Sequence, residues 1–416
     1  MVKGRHDRHG DTALDRLARE VARGMYGQGG PSFSRRGLLR TAGVGTMALS
    51  SGGLLAACGT SGTKQSAEEC VSKDLSTTEK KLTWSNWPLY IDEKGKSLPT
   101  LEAFESQTGI DVTYNTDVND NSQFFAKVRN QLGACEPTER DIVVLTDWMA
   151  ARMIGLGWIQ ELDMKAMPNV EANLVDTLRE PEWDPGRKYS VPWQSGLTGI
   201  AYNSKFTGEV SSFEELVTRA DLKGKISMLT EMGDTMGFML KLTGADPSDF
   251  SDDEWGAALA RLEEIVASGQ VRRFTGNDYT GALNKGDIVA CEAWSGDVIA
   301  MQYDNPDIKF VTPEEGLALW SDNMMVPNKA DHLGNAQELI NYYYDPEVAA
   351  KVSAWVNYIC PVQGTEDAMA EVDESLVGNP LIFPTSTDLE TTFAFKNLDS
   401  KVREGYEKEF NQVIGA

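Results

Sequence analysis

The chain has 416 residues, with 63 Asp and Glu against 39 Lys and Arg and a formal net charge of −24. So negative a field repels phosphate, which excludes nucleic acid and anionic lipid surfaces as partners and favours cationic solutes, with solubility alone as the plainer use of the charge. The only histidines are His6, His9 and His332, too few for most histidine-based triads or multi-histidine metal sites, and no glycine-rich phosphate loop or nucleophile elbow is present.

The first element in chain order is an export address. Ser34-Arg35-Arg36-Gly37-Leu38-Leu39-Arg40 reads as a twin-arginine signal and Leu55-Ala56-Ala57-Cys58 as a bacterial lipobox. The run between them carries Gly43, Gly45, Gly52 and Gly53, which makes it too short and too weakly apolar to span about 30 Å of hydrocarbon and a poor core helix. Residues 1–58 are therefore expected to be a twin-arginine lipoprotein signal. The mature chain then starts at a lipidated Cys58, anchored to the membrane in the periplasmic or extracytoplasmic space. Beyond Cys58 it keeps 358 residues, 30 basic and 59 acidic, more than one hydrophobic core usually serves, so two lobes are expected.

Residues 59–80 are Ser, Thr, Gly, Lys and Glu with almost nothing apolar, and predict a flexible tether. Lys81-Leu82-Thr83-Trp84-Ser85 alternates as a strand and ends in the turn Asn86-Trp87-Pro88. An α/β alternation follows: a helix over 98–108 stopped by Gly109, a strand over 110–114, a helix over 122–132, a buried strand over 141–145 and a helix over 148–156. That order predicts a largely parallel sheet with ligand contacts at strand ends. Residues 189–203, broken by Pro192 and Gly196, and residues 317–327 read as strands passing between lobes, about 120 residues of renewed α/β pattern apart. Helices are expected over 334–344, 346–356 and 393–414. Apart from Cys58 the cysteines are Cys70, Cys135, Cys291 and Cys360. They permit two disulfides in an oxidising compartment; Cys291 with Cys360 is the favoured pair, and free buried thiols are the alternative.

Several stretches, taken in order, resemble the bacterial spermidine/putrescine-binding proteins that feed ABC importers. They are Trp84-Ser85-Asn86-Trp87-Pro88-Leu89-Tyr90, Phe104-Glu105-Ser106-Gln107-Thr108-Gly109-Ile110, Asp141-Ile142-Val143-Val144, the two passages, and Asn357-Tyr358-Ile359-Cys360-Pro361-Val362. The match runs from about residue 81 to 385. The resemblance implies a type II periplasmic-binding fold of class α/β, two lobes joined by crossing strands with a ligand cleft between them. Lobe one would be 81–191 plus 320–360, and lobe two 192–319 plus 361–416. It implies a monomeric solute-binding component, not an enzyme and without cofactor or metal. Its partners would be a polyamine ligand, an ABC permease and the permease's ATPase, with closure by hinge motion reporting occupancy.

A polyamine needs carboxylates at its ammonium groups and apolar faces along its methylenes. Aromatic rings serve both, at about 0.5–2 kcal/mol for each cation–π contact. Carried over residue by residue, the resemblance places ligand-binding side chains at Trp87, Tyr90, Thr146, Trp148, Trp294, Trp320, Asp322 and Tyr358, with Asp147 between Thr146 and Trp148. Asp322 stands out on its own surroundings, because an acid inside a Leu-Ala-Leu-Trp…Met-Met-Val strand is costly without a cationic partner. The family places two further acids around Leu229-Thr230-Glu231-Met232-Gly233-Asp234-Thr235. One alignment puts Met232 and Thr235 on those positions and the other Glu231 and Asp234, with Glu292 and Asp297, which flank Trp294, as substitutes. Competing readings keep the fold and change the guest, to a quaternary amine or cationic amino acid; a ferric-ion binder would need clustered tyrosine oxygens, and the only tyrosine cluster, Tyr342, Tyr343 and Tyr344, points in different directions on a helix. A secreted hydrolase with paired carboxylates and a surface interaction protein belong to other classes.

Overall fold

The computed structural model describes Cys70 and residues 73–416. The expected signal, the lipidation site Cys58 and the start of the tether lie outside the described residues. Strands β1 (Lys81–Ser85), β2 (Asp111–Asn115) and β3 (Ile142–Thr146) are parallel. They are connected by α1 (Pro99–Thr108) and α2 (Asn121–Gly133). Helix α1 begins on Pro99, whose missing N–H costs nothing in the first turn, and stops where Gly109 turns left-handed at φ 71°. Asp120 caps α2 through the Gln123 N–H, and Phe124, Val128 and Leu132 recur at helical spacing to bury one face. Helix α3 (Asp147–Gly155) leaves β3 without a loop.

Two long antiparallel strands, β4 (Val191–Asn203) and β9 (Leu317–Met325), carry the chain across the middle of the molecule. Beyond them lie β5 (Ile226–Leu229), β6 (Val271–Thr275), β7 (Ala290–Trp294) and β8 (Ile308–Val311). Helices α4 (Met232–Leu242), α5 (Asp252–Ala267), α6 (Tyr279–Lys285) and α7 (Ser295–Asp304) cover this half. After β9 come α8 (Leu333–Tyr343), α9 (Pro346–Val356), α10 (Thr365–Val372), the short β10 (Thr392–Phe393) and α11 (Ser400–Ile414). The strands join in the order β2-β1-β3-β9-β4-β7-β5-β6, with β10 beside β9 and β8 beside β4. One large core gathers around Trp84, Phe104, Val144 and Met325, and another around Phe213, Phe238, Leu262 and Phe410. The fold is α/β of the periplasmic-binding kind, with β4 and β9 as its crossing strands.

Four expectations change. Residues 393–414 are not one helix: Phe393 sits in β10 with its ring edge-on to Phe238 at 5.2 Å, and the helix starts only after the Asp399 cap. Residues 365–382, assigned from sequence to lobe two, pack instead on α9, where Met369, Leu376 and Ile382 meet Ala350. Cys291 and Cys360 are separate buried thiols, and the disulfide joins Cys70 to Cys135 with Cα atoms 5.4 Å apart. The described end of the tether is held to the domain, because apolar content is not the only way to fix a segment. The Leu75 N–H donates to the Asp331 carbonyl at 2.7 Å and the Asn335 N–H to Ser76 Oγ at 2.9 Å. His332 links Asp141 at 2.9 Å to Glu79 at 3.4 Å. Among the described residues no helix is long and apolar enough to cross a membrane.

Candidate functional site

Strand ends from both halves meet the crossing strands around a cavity of about 240 Å³. All ten side chains anticipated from sequence line it: Trp87, Tyr90, Thr146, Trp148, Glu231, Asp234, Trp294, Trp320, Asp322 and Tyr358. Trp87 and Tyr90 lie in the turn after β1, fixed by two indole bonds: Trp87 Nε1 donates to the Val144 carbonyl and Trp193 Nε1 to the Tyr90 carbonyl, both at 3.1 Å. Thr146 ends β3 and Trp148 opens α3. Trp320 and Asp322 share one face of β9 because strand side chains alternate. Tyr358 follows α9, where Asn357 takes the left-handed conformation at φ 58° that ends the helix.

Two glycines make room for the rings. A Cβ on Gly196 of β4 would collide with the Trp320 indole, and one on Gly296 of α7 with the Tyr358 ring. The rings then form a continuous girdle. Centroids are 6.2 Å apart for Trp87–Trp294, 6.3 Å for Trp294–Trp320, 5.6 Å for Trp320–Tyr358 and 5.3 Å for Tyr358–Tyr90. Most of these contacts are edge-on, the arrangement that aromatic quadrupoles favour.

Among the described residues five carboxylates, of Asp147, Glu231, Asp234, Asp297 and Asp322, face the same cavity, and no Lys, Arg or His lines it. Asp322 accepts from Tyr90 Oη at 2.8 Å and Thr146 Oγ1 at 2.7 Å. Asp297 accepts from Tyr279 Oη at 2.8 Å, Tyr358 Oη at 3.1 Å and Asn277 Nδ2 at 3.1 Å. Asp234 accepts from Thr198 Oγ1 at 2.7 Å and Glu231 from the Asn121 side chain and N–H at 3.0 Å. These donors are neutral, so they orient the acids without cancelling their charge. Burial is the main cause of the resulting shifts: Asp322 is pushed up to about 7, Asp147 and Asp234 to about 6, and Glu231 and Asp297 also upward. A shared pocket of desolvated acids in an aromatic cage is built for a guest that supplies positive charge and N–H donors.

At the ambiguous stretch Glu231 and Asp234 line the cavity, while Met232 and Thr235 are buried outside its lining. Glu292 is not a substitute. It is wholly buried, accepts from the Leu229 N–H at 3.0 Å and Thr235 Oγ1 at 2.7 Å, and is pushed up to about 8 by burial. Tyr342, Tyr343 and Tyr344 lie outside the cavity lining. Tyr342 and Tyr344 donate to backbone carbonyls and Tyr343 meets Thr100, so they form no metal cluster. Among the lining residues that sequence reasoning missed are Trp183, Asn277 and Phe395. Trp183 sits between Pro181 and Pro185 in a segment without periodicity, and Phe395 falls where a helix was expected. Nothing local marked either.

The family model of the bacterial extracellular solute-binding protein matches residues 100–375. The chain belongs to that family. Among curated proteins it is 28% identical to the putrescine-binding periplasmic protein PotF of Escherichia coli, over 79% of this chain and 90% of that one. It is 25% identical to the spermidine/putrescine-binding periplasmic protein 1 of Haemophilus influenzae, over 78% and 88%. Among solved structures, a putative spermidine/putrescine ABC transporter from Listeria monocytogenes superposes with a TM-score of 0.71 at 25% identity, covering 80% of this chain and 99% of that one. The Tp0655 lipoprotein of Treponema pallidum gives 0.67 at 21%, covering 81% and 100%, a likeness of fold alone.

Proposed function

We propose that this protein captures a polyamine, spermidine or putrescine, outside the cytoplasmic membrane and hands it to an ABC permease driven by its ATPase. The observation that carries the reading is the set of five carboxylates inside a ring of tryptophans and tyrosines, with no cationic side chain in the lining among the described residues. Ammonium groups would bind Asp322, Asp234 and Asp297, each charge-assisted bond contributing roughly 1.5–3 kcal/mol. Trp87, Trp294 and Trp320 would lie along the methylenes, with Tyr90, Thr146, Trp148 and Tyr358 completing the enclosure. The names of the relatives point to the same solutes. A quaternary amine has no N–H to give these acceptors, which favours primary ammonium groups.

On this reading β4 and β9 are the hinge, lobe one spans 81–191 and 320–389, and lobe two 192–319 with 390–416. The protein acts as a monomer and catalyses nothing. Residues 1–58 export it and the lipid on Cys58 holds it at the membrane. A thermal-shift panel of spermidine, putrescine, betaine, sugars and amino acids tests the ligand: polyamines should raise the melting temperature with concentration. Silence toward both, with a response to an uncharged solute, would end the reading.

A further inference from the structure

Arg403 is absent from the cavity lining yet forms part of its wall. It projects from α11, is 1% exposed, and holds its guanidinium carbon 4.4 Å from the centre of the Trp148 ring. Trp148 lines the cavity, so this charge lies against a side chain that the guest would meet. Both terminal nitrogens of Arg403 are buried without a hydrogen-bond partner. The fields of Glu407 and of the cavity acid Glu231 favour the charge, and that of Arg152 opposes it. Burial lowers its pKa only to about 10, so it remains cationic at neutral pH. Helix α11 is meanwhile fixed to α3 by other groups: Arg152 bonds Glu404 at 3.1 Å and Glu407 at 3.2 Å.

We propose that Arg403 is a resident cation of the cleft, which occupies the Trp148–Glu231 end and thereby selects guests with two ammonium groups over guests with three. The inference rests on the polyamine reading and refines it. A ring whose quadrupole already attracts one cation, in a water-poor site, offers less to a second cation, and the two charges repel. Glu231 lies in the field of Arg403 without an ion pair between them. Asp147 has the buried guanidinium of Arg187 in its field, so the acids without a resident cation are Asp322, Asp234 and Asp297. An ammonium has three donors, so three acceptors are readily divided between two such groups. The third ammonium of a triamine is left facing Trp148 and Arg403.

The test is isothermal titration of the full chain with putrescine, spermidine and the spermidine analogue whose terminal ammonium is replaced by hydroxyl. The last has the triamine's length with one charge fewer. The wild-type protein should bind putrescine and the hydroxyl analogue at least tenfold more tightly than spermidine. In Arg403→Gln that preference should shrink at least tenfold, and in Arg152→Gln, which loosens α11 and keeps the guanidinium, it should stand unchanged even if every affinity falls. Wild-type protein that binds spermidine as tightly as the hydroxyl analogue, or more so, overturns the inference. An unchanged preference in Arg403→Gln does the same and leaves Arg403 a packing residue. The wild-type comparison decides the matter even if the variant fails to fold. Binding of none of the three removes the polyamine reading itself.

Discussion

Asp322 holds both carboxylate oxygens in place, one by Tyr90 and the other by Thr146, and among the described residues no positively charged side chain lines the cavity with it. Replacing it by Asn keeps the volume and removes the charge, so Asp322→Asn should weaken polyamine binding roughly 10- to 100-fold, the equivalent of one charge-assisted bond of about 1.5–3 kcal/mol. Titration calorimetry on the variant measures this directly. The pH dependence follows from the same group. In the empty cleft Asp322 ionises near 7, raised first by burial and also by the charges of Asp147 and Asp234, whereas an unfolded Asp ionises near about 3.9. Its folded pKa is the higher one. The stability it contributes to the ligand-free protein is therefore complete below about pH 4 and lost as pH rises through about 7. A cationic guest favours the ionised form, so affinity should weaken as pH falls from 8 to 5. Melting curves and titrations across that range should show both trends, and both should be flatter in Asp322→Asn.

At the scale of elements, the crossing strands were legible because 189–203 and 317–327 are apolar runs with strand residues on both faces. The alternation that puts Trp320 and Asp322 on one side of β9 needs no tertiary knowledge. Pro192 was read as a break, but the strand absorbs it as an irregularity in register before Gln194. The role of Gly196 could not be read in advance, since what it accommodates is an indole on the neighbouring strand. Gly196→Ala should push Trp320 from its place in the girdle, weaken binding about tenfold, and destabilise the fold by roughly 1–3 kcal/mol through overpacking. Fluorescence of the tryptophan girdle and denaturant titration would register the two effects separately. Cysteine pairing was illegible for a different reason. Cys70 lies in a polar stretch that predicts no order, and only the tertiary fold carries it to Cys135, 65 residues away in sequence. Breaking this bond with Cys70→Ser should cost about 2–4 kcal/mol, seen as a lower denaturant midpoint, and should leave the cavity unaffected.

Across the whole molecule, bonds on several sides of the cavity tie the two halves together. Asn121 beside β3 reaches Glu231 beside β5, Thr230 Oγ1 donates to Asp120 at 2.9 Å, and Arg152 of α3 grips α11. The cleft is thus drawn shut across a set of acids that repel one another. A guest that neutralises them stabilises the shut form, and a concentration 100 times its dissociation constant should add about 2.7 kcal/mol of stability. The ten expected site positions come from short stretches that resemble the family, and all ten meet at one cavity; the sequence left Glu231 and Asp234 open against Met232 and Thr235. The walls contributed by Trp183 and Phe395 come from irregular segments whose placement depends on the assembled fold.

The most direct measurement of the central claim is calorimetric titration of putrescine and spermidine into the full chain at pH 8, beside Asp322→Asn. Saturable binding of at least one polyamine at micromolar concentration or below, about −8 kcal/mol or stronger, and lost or much weakened in the variant, is the predicted result. Binding of neither, or equal binding by wild type and variant, would contradict it.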